Sequence, residues 1–318
     1  MNLGTAPATV LAFDVGGTDI KAGLVDCRGE VLGMRRVPTP LDPVRPGEAI
    51  VASLAGLAGE LSAEFPDAHP QAAGVVVPGI VDAVRGLGIY SANLGWRNFP
   101  FAAEAGKRLG VPVSFDHDVR SAAAVEHRFG ASREFGEVVV MVVGTGIAAA
   151  VFSGGTAITA GGFAGELGHA QVPDPDRHGA AAILEAVGSA GAIAKRYNAQ
   201  SAGGDGLHPV AGAKEVLQRA RHGDPLAGRI WQEAVDALAF TICQCVNIIG
   251  TEAVVIGGGL AEAGDDLLLP LREAVDRILD FQRRPRLIKA EMGQDAGLLG
   301  AALNARTLLD RSLVGGPS

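Results

Sequence analysis

The sequence predicts a duplicated α/β fold of two domains, on three observations. The stretch VLAFDVGGTDIKAGLVD, Val10 to Asp26, runs from a buried apolar strand (Val10 to Asp14) through Gly16-Gly17-Thr18 into a returning strand, Ile20 to Val25. A second stretch, VVVMVVGTGIAAAVF from Val138 to Phe152, repeats the pattern with Gly144-Thr145-Gly146 at its turn. Strand-like and helix-like segments alternate around them, in a chain of 318 residues that is 48% hydrophobic and so long enough for two cores.

Each turn taken alone is consistent with an ordinary tight β-hairpin. Two copies a domain length apart point further, to paired phosphate-binding turns facing one cleft. Glycines let backbone N–H groups approach an anion closely, and Thr18 adds a hydroxyl donor. Asp14, at the end of the first strand, is placed to hold Mg²⁺ or its water shell, because that hard ion prefers carboxylate oxygen.

The other elements follow in order. Val31 to Val37 adds a third strand, and four prolines (Pro38, Pro40, Pro43, Pro46) make a stiff link to a helix. Ile50, Leu54, Leu57, Leu61 and Phe65 give that helix one apolar stripe. Ala73 to Pro78 is a short buried strand broken by Pro78-Gly79. Ile80 to Asn98, rich in Gly and Asn, reads as loop or short hairpin near a functional edge. Phe101 to Leu109 is helical and stops at Gly110. Val111 to Phe115 is a strand, followed by Asp116-His117-Asp118 and a helix over Ser121 to Phe129. Those acids either cap the helix and complement its dipole, or present a carboxylate base at the carboxyl edge of a sheet.

Beyond the second hairpin, Gly161 to His169 packs four glycines around Glu166 and His169, the composition of a ligand loop. Ala180 to Tyr197 reads as one helix, with Glu185 near its start as either an exposed acid or a ligand contact. Pro225 to Ile249 is a long helix that buries Cys245. Glu252 to Ile256 is a strand ending in Gly257-Gly258-Gly259, a flat backbone surface suited to adenine or ribose. Leu267 to Leu279 is helical, Arg286 to Ala290 a last strand, and Ala296 to Leu309 a final helix.

Composition removes several function classes. A net charge of −8 without any basic run argues against nucleic-acid binding. Three cysteines, Cys27, Cys243 and Cys245, suit a reducing cytoplasm better than a disulfide framework. No signal peptide opens the sequence and no apolar run reaches membrane-span length. A soluble cytoplasmic protein is expected.

Taken in order, DVGGTDIK, PGIVD, SANLGW, FDHD, GTGI, GGFAGELGH, VVIGGG and QDAGLLGAA resemble the ROK family of bacterial sugar kinases and repressors, from about Val10 to Ala302. The resemblance implies the actin-like (ribonuclease H-like) sugar-kinase fold, with two lobes around a central cleft. The lobes would be 1–117, joined by a returning helix over about 297–318, and 118–296. It implies glucokinase-like transfer of the ATP γ-phosphoryl group to a hexose, with Mg²⁺, by a homodimer. Carried over residue by residue, Asp118 matches the catalytic base. Glu166, His169 and Glu185 match sugar ligands, as does His117 by its place, and Gly79 matches a backbone contact to the sugar. Asp14, Gly16, Gly17 and Thr18, with Gly144, Thr145 and Gly146, match the metal and phosphate elements, and Gly257 and Gly258 the adenosine side.

The chain departs from the family pattern at four places. His117 stands where the family usually has Asn, Ala148-Ala149-Ala150 where it has further glycines, and Asp19 where it often has Lys, with Lys21 two residues on. The cysteine-rich zinc motif has no counterpart between Asp174 and Ile183. Asp176 and His178 remain beside His169, but a fourth ligand is missing, so no structural zinc site is expected. Two other classes compete with the kinase. A sugar-sensing regulator without turnover is suggested by His117 and the alanines. A DNA-binding repressor is disfavoured by the charge and by the nine residues ahead of the first strand. Polyphosphate is an alternative donor.

Overall fold

Two sheets with the same strand plan organise the computed structural model, which describes residues 1–4, 8–201 and 208–313. The chain divides into two units. One holds Met1–Phe129, Thr159–Phe163 and the chain from Gln294 onward; the other holds Gly130–Ile158 and Ala164–Gly293.

In the first unit β1 (Val10–Val15) and β2 (Asp19–Val25) form an antiparallel hairpin, with Asp14 opposite Lys21 and Val15 opposite Ile20. β3 (Val31–Pro38) pairs with β2. α1 (Pro46–Glu64) buries Ile50, Leu54, Leu57 and Leu61 in the core of this sheet, as its three-and-four spacing requires. β4 (Ala73–Val77) is buried throughout and lies parallel to β1. The segment expected as loop or hairpin is a small antiparallel sheet of β5 (Ile80–Asp82), β6 (Leu87–Tyr90) and β7 (Arg97–Phe99). Its anchor is Trp96, 1% exposed, edge-on to Phe101 at 5.4 Å. α2 (Phe101–Leu109) ends at Gly110, whose φ of 71° is left-handed. β8 (Val113–His117) completes the order β3-β2-β1-β4-β8 and runs directly into α3 (Asp118–Phe129).

The second unit repeats the plan. β9 (Val138–Val143), β10 (Ile147–Ser153) and β11 (Thr156–Ile158) form an antiparallel meander. Ala148, Ala149 and Ala150 lie in β10 opposite Val142, Met141 and Val140, so the alanines are strand and not turn. β12 (Gln171–Pro173) and β13 (Ala181–Ile183) make a separate hairpin. The single helix expected over Ala180–Tyr197 is instead β13, α4 (Leu184–Gly188) and α5 (Ala190–Ser201). The break is Ser189: its backbone is extended, and its Oγ accepts from Ala192 N at 3.0 Å, the bond that starts a new helix. α6 (Ala213–Arg221) and α7 (Pro225–Ile249) follow, the latter capped by Asp224 and ended by left-handed Gly250. β14 (Ala253–Gly257), α8 (Asp265–Ile278) and β15 (Arg286–Lys289) finish the order β11-β10-β9-β14-β15.

α9 (Ala296–Leu313) then returns to the first unit and packs on β1, β4, β8 and α3. The approach is close enough that a Cβ on Gly74 would fall 1.9 Å from the Ala301 carbonyl oxygen. Buried Arg306 donates to the carbonyls of Ala8 and Val25. Because α3 packs along α9, the units divide after Phe129 and not after His117 as expected. Residues 314–318 of the expected returning helix lie outside the described residues.

Candidate active site

The first unit brings four of its sequence-marked features to the carboxyl ends of β1, β4 and β8. The turn after β1 is closed by Gly16 N donating to Asp19 O at 2.8 Å. Thr39 braces it from outside, through Oγ1 to Gly16 O at 2.7 Å and N to Thr18 O at 2.8 Å. Gly17 and Thr18 are exposed, and a Cβ on Gly17 would meet nothing within 4 Å. Packing within the fold therefore leaves position 17 open.

Asp14 is half-buried at the end of β1. Burial, then the Asp118 carboxylate, push its pKa up to about 6; Lys21 draws it back down and Asp295 adds a smaller push. Lys21, its register partner on β2, donates Nζ to Gln294 O at 2.5 Å and stands 3.7 Å from Asp295 Oδ1. Gly297, at the start of α9, closes on Asp14 so tightly that a Cβ would lie 2.4 Å from Oδ2. A half-buried carboxylate opposed by a second one is the donor chemistry that a hard divalent cation offsets. Among the described residues no group of three or more His, Cys, Asp or Glu gathers to hold a metal.

The FDHD stretch divides its labour. Asp116 is committed: its Oδ1 accepts from His117 N at 2.7 Å and from Arg120 Nε at 2.8 Å, and Arg120 Nη2 adds a further bond. His117 caps α3, because its Nδ1 accepts from Val119 N at 3.2 Å and Arg120 N at 3.4 Å. The sequence left the acids either as caps or as a carboxylate base; in the fold the imidazole joins Asp118 in capping the first turn. Asp118 opens α3, with Oδ1 accepting from Val119 N at 2.6 Å and lying 3.2 Å from His117 Nδ1. Its side chain is 24% exposed, and Oδ2 has no partner among the described residues. Gly79 takes φ +111°, and a Cβ there would meet Tyr90 O at 2.4 Å, so the backbone at this edge requires glycine.

The second unit builds the other group. Gly144 N donates to Gly146 O at 2.9 Å across the β9–β10 turn, and Thr145 is exposed at its tip. The N-terminus of α5 abuts it: Ala190 N reaches Gly144 O at 2.9 Å, and a Cβ on Gly191 would fall 2.6 Å from Thr145 O. Glu185 is pinned to the same turn. Its Oε2 accepts from Ile147 N at 2.8 Å, and a Cβ on Gly146 would sit 2.4 Å from that oxygen. Glu166 and His169 flank one 3₁₀ turn (Leu167–His169), both exposed, with His169 N donating to Glu166 O at 3.0 Å. Gly257 is buried in β14, and Gly258 follows with φ +80°, where a Cβ would lie 2.5 Å from Val143 O at the end of β9. Glycine there keeps the β14 end beside the β9–β10 turn. In the second unit the structure thus joins Glu185 to the Gly144–Gly146 turn, a link the sequence did not announce.

The ROK family pattern matches residues 10–307. The chain is similar to the glucokinase of Thermotoga maritima, 32% identical over 315 residues, covering 92% of this chain and 96% of the relative. It is similar to the N-acetylmannosamine kinase of Escherichia coli O157:H7, 30% identical over 94% of this chain and 98% of that protein. Among solved structures, a ROK family glucokinase from Streptomyces griseus in complex with glucose and AMPPNP matches with a TM-score of 0.77 at 27% identity, over 94% of this chain and 100% of that chain.

Proposed function

The chain belongs to the ROK family, and from that membership and the residues just described we propose that it transfers the γ-phosphoryl group of ATP to a hydroxyl of a hexose or hexose derivative, with Asp118 as general base. Its two sheets are the halves of the duplicated actin-like, ribonuclease H-like fold of ROK sugar kinases. The observation that carries the reading is the contrast within FDHD: Asp116 is spent on Arg120, whereas Asp118 is fixed through one oxygen and keeps the other for a ligand. Glucose leads the candidate sugars, since glucokinases resemble the chain along nearly its whole length.

On this reading Asp118 Oδ2 accepts the proton of the reacting hydroxyl as its oxygen bonds to the γ-phosphorus. The bond from that phosphorus to the β–γ bridging oxygen breaks, ADP leaves, and the proton stays on Asp118 until solvent takes it. Glu166 and His169, exposed three residues apart, hold neighbouring hydroxyls as acceptor and donor. Glu185 serves the sugar with Oε1 while Oε2 keeps the second turn in shape. Gly16, Gly17 and Thr18, with Gly144, Thr145 and Gly146, offer backbone and hydroxyl donors to the phosphates, and Gly257 and Gly258 the adenosine surface. Mg²⁺ when bound supplies neutralisation of phosphate charge, and Asp14 is the residue that would hold it, directly or through water.

The test is a kinase screen with ATP and polyphosphate against glucose, fructose, allose, mannose and N-acetylmannosamine, followed by Asp118→Asn. That variant is expected to lower kcat by about 10²–10⁴-fold while sugar binding by calorimetry changes far less. Asp116→Asn should cost stability instead, because it loosens a charge pair with the buried Arg120. Near-wild-type turnover in Asp118→Asn would refute the assignment. A wild type that phosphorylates no sugar would return the chain to the sensor reading.

We also propose a cytoplasmic homodimer. Ile248 and Phe281, 81% and 90% exposed, lie on segments joined by Gln282 Nε2 to Asn247 Oδ1 at 3.0 Å, and a second copy would cover them. A monomer mass by light scattering would contradict this. Free cysteines fit a reducing compartment, and no helix of the described residues is long and apolar enough to cross a membrane.

A further inference from the structure

Five side chains of the second unit close a ring of hydrogen bonds at the β12–β13 turn. Arg196 on α5 grips Asp176 with two parallel bonds, Nε to Oδ2 and Nη2 to Oδ1, both 2.8 Å. Its Nη2 also reaches Glu233 Oε2 on α7 at 2.6 Å. Arg229 joins Glu233 Oε1 (2.9 Å) to Gln200 Oε1 (2.5 Å), and Gln200 Nε2 returns to Asp176 Oδ1 at 2.8 Å. Asp176 is the only member contributed by the turn. Everything else stands on two helices.

Exposed ion pairs usually contribute little, and Asp176 by itself would be one of those. Arg196 changes the weighing. Its side chain is 8% exposed, so its charge depends on partners, and the planar two-bond fork fixes direction as well as distance. The hydrogen bond from Arg196 holds the Asp176 carboxyl below the usual carboxylate range, in keeping with a permanently charged anchor.

The anchored hairpin connects two candidate sugar ligands. β12 begins two residues after His169, and β13 runs straight into α4, which carries Glu185. Leu184 N donates to Ala170 O at 2.8 Å and ties the two roots together. Asp176, Arg196, Gln200 and Arg229 also line one cavity of about 920 Å³ with Thr145 and Glu185.

We infer that Asp176 and Arg196 are positioning residues for the sugar site: the ring fixes the β12–β13 turn to α5 and α7 and thereby sets His169 and Glu185 at the hairpin's two roots. The inference rests on the reading of those two residues as sugar ligands. Without the anchor, residues 174–180 are a surface turn held by its own local bonds: Asp174 N to Ala180 O, Ala180 N and Arg177 N to the carbonyls of Arg177 and Asp174, Asp176 N to Asp174 Oδ1, and the Asp174–Arg177 pair; none of them ties it to α5 or α7.

Asp176→Ala is the variant to make, because the side chain is 39% exposed and its truncation opens no cavity. Amide exchange over 171–185 should speed up about tenfold, the scale of one charge-assisted hydrogen bond, while the rest of the second unit exchanges as in wild type. The KM for hexose should rise about tenfold, and Asp176→Glu should restore part of both effects. Unchanged exchange over 171–185 overturns the inference. So does faster exchange throughout the unit with a matching fall in melting temperature, which marks a merely structural pair. If the wild type phosphorylates no hexose, the kinase reading fails by itself, and exchange around Glu185 still decides the positioning role.

Discussion

Asp14→Asn is expected to raise the melting temperature of the ligand-free protein at pH 8 and to leave it unchanged near pH 4. In the fold, burial and then Asp118 push the Asp14 pKa up to about 6 from 3.8, against the pull of Lys21. The unfolded chain ionises at the ordinary value. Between those two values the folded state holds a proton that the unfolded state has released. Stability therefore falls as pH rises through that window and stays lowered above it. A shift of about two units is worth about 3 kcal/mol, and the partial exposure of Asp14 reduces this to about 1–2 kcal/mol. Asparagine keeps the shape without the charge, so the variant should recover that amount, about 2–8 °C, at pH 8. Calorimetric melts at pH 4, 6 and 8, with and without Mg²⁺, read the effect directly. Mg²⁺ should stabilise the wild type more than the variant, and sugar phosphorylation by the variant should be largely lost. A variant that melts below wild type at pH 8, or differs by the same amount at every pH, would show that the carboxylate is a stabilising structural group.

Gly74→Ala should cost about 2–4 kcal/mol, because its Cβ meets the Ala301 carbonyl at 1.9 Å and neither partner is a flexible side chain; an unchanged melting temperature would refute that packing. Gly146→Ala should push Glu185 off the second turn and raise the KM for both substrates, which steady-state kinetics would detect. A chelator should leave the melting temperature unchanged, since no cysteine lies between Asp174 and Ile183; about one zinc per chain by elemental analysis, lost together with stability, would contradict it.

Both hairpins were legible because strand periodicity and glycine turns are local properties. The match extends to Pro225–Ile249 and Phe101–Leu109, whose ends carry their own punctuation. The break at Ser189 was not legible, since Ile183, Val187 and Ala190 keep helical spacing across it and only the Ser189 Oγ bond reveals two helices. Likewise FDHD offers three capping candidates in a row, and residue types alone do not say that His117 caps while Asp116 serves Arg120. The attachment of Glu185 to Ile147 N spans 38 positions. Its only trace in the sequence was the absence of a side chain at Gly146.

The place of α9 carries a consequence for how the protein is made. β1 and β4 leave the ribosome early, but the helix that packs on them is encoded about 220 residues later than β4, a delay of about 10–45 s at ordinary elongation rates. Throughout that interval the face of the first sheet that α9 packs on lacks that helix, while the strands of the second sheet are completed by β15 before α9 emerges. The half of the chain synthesised first is thus the half that finishes last. A chain truncated after Gly293 should be cut by protease in residues 1–129 and resist it in the second unit. Until α9 is made, the stretch that would cradle a nucleotide phosphate is the stretch most in need of a chaperone.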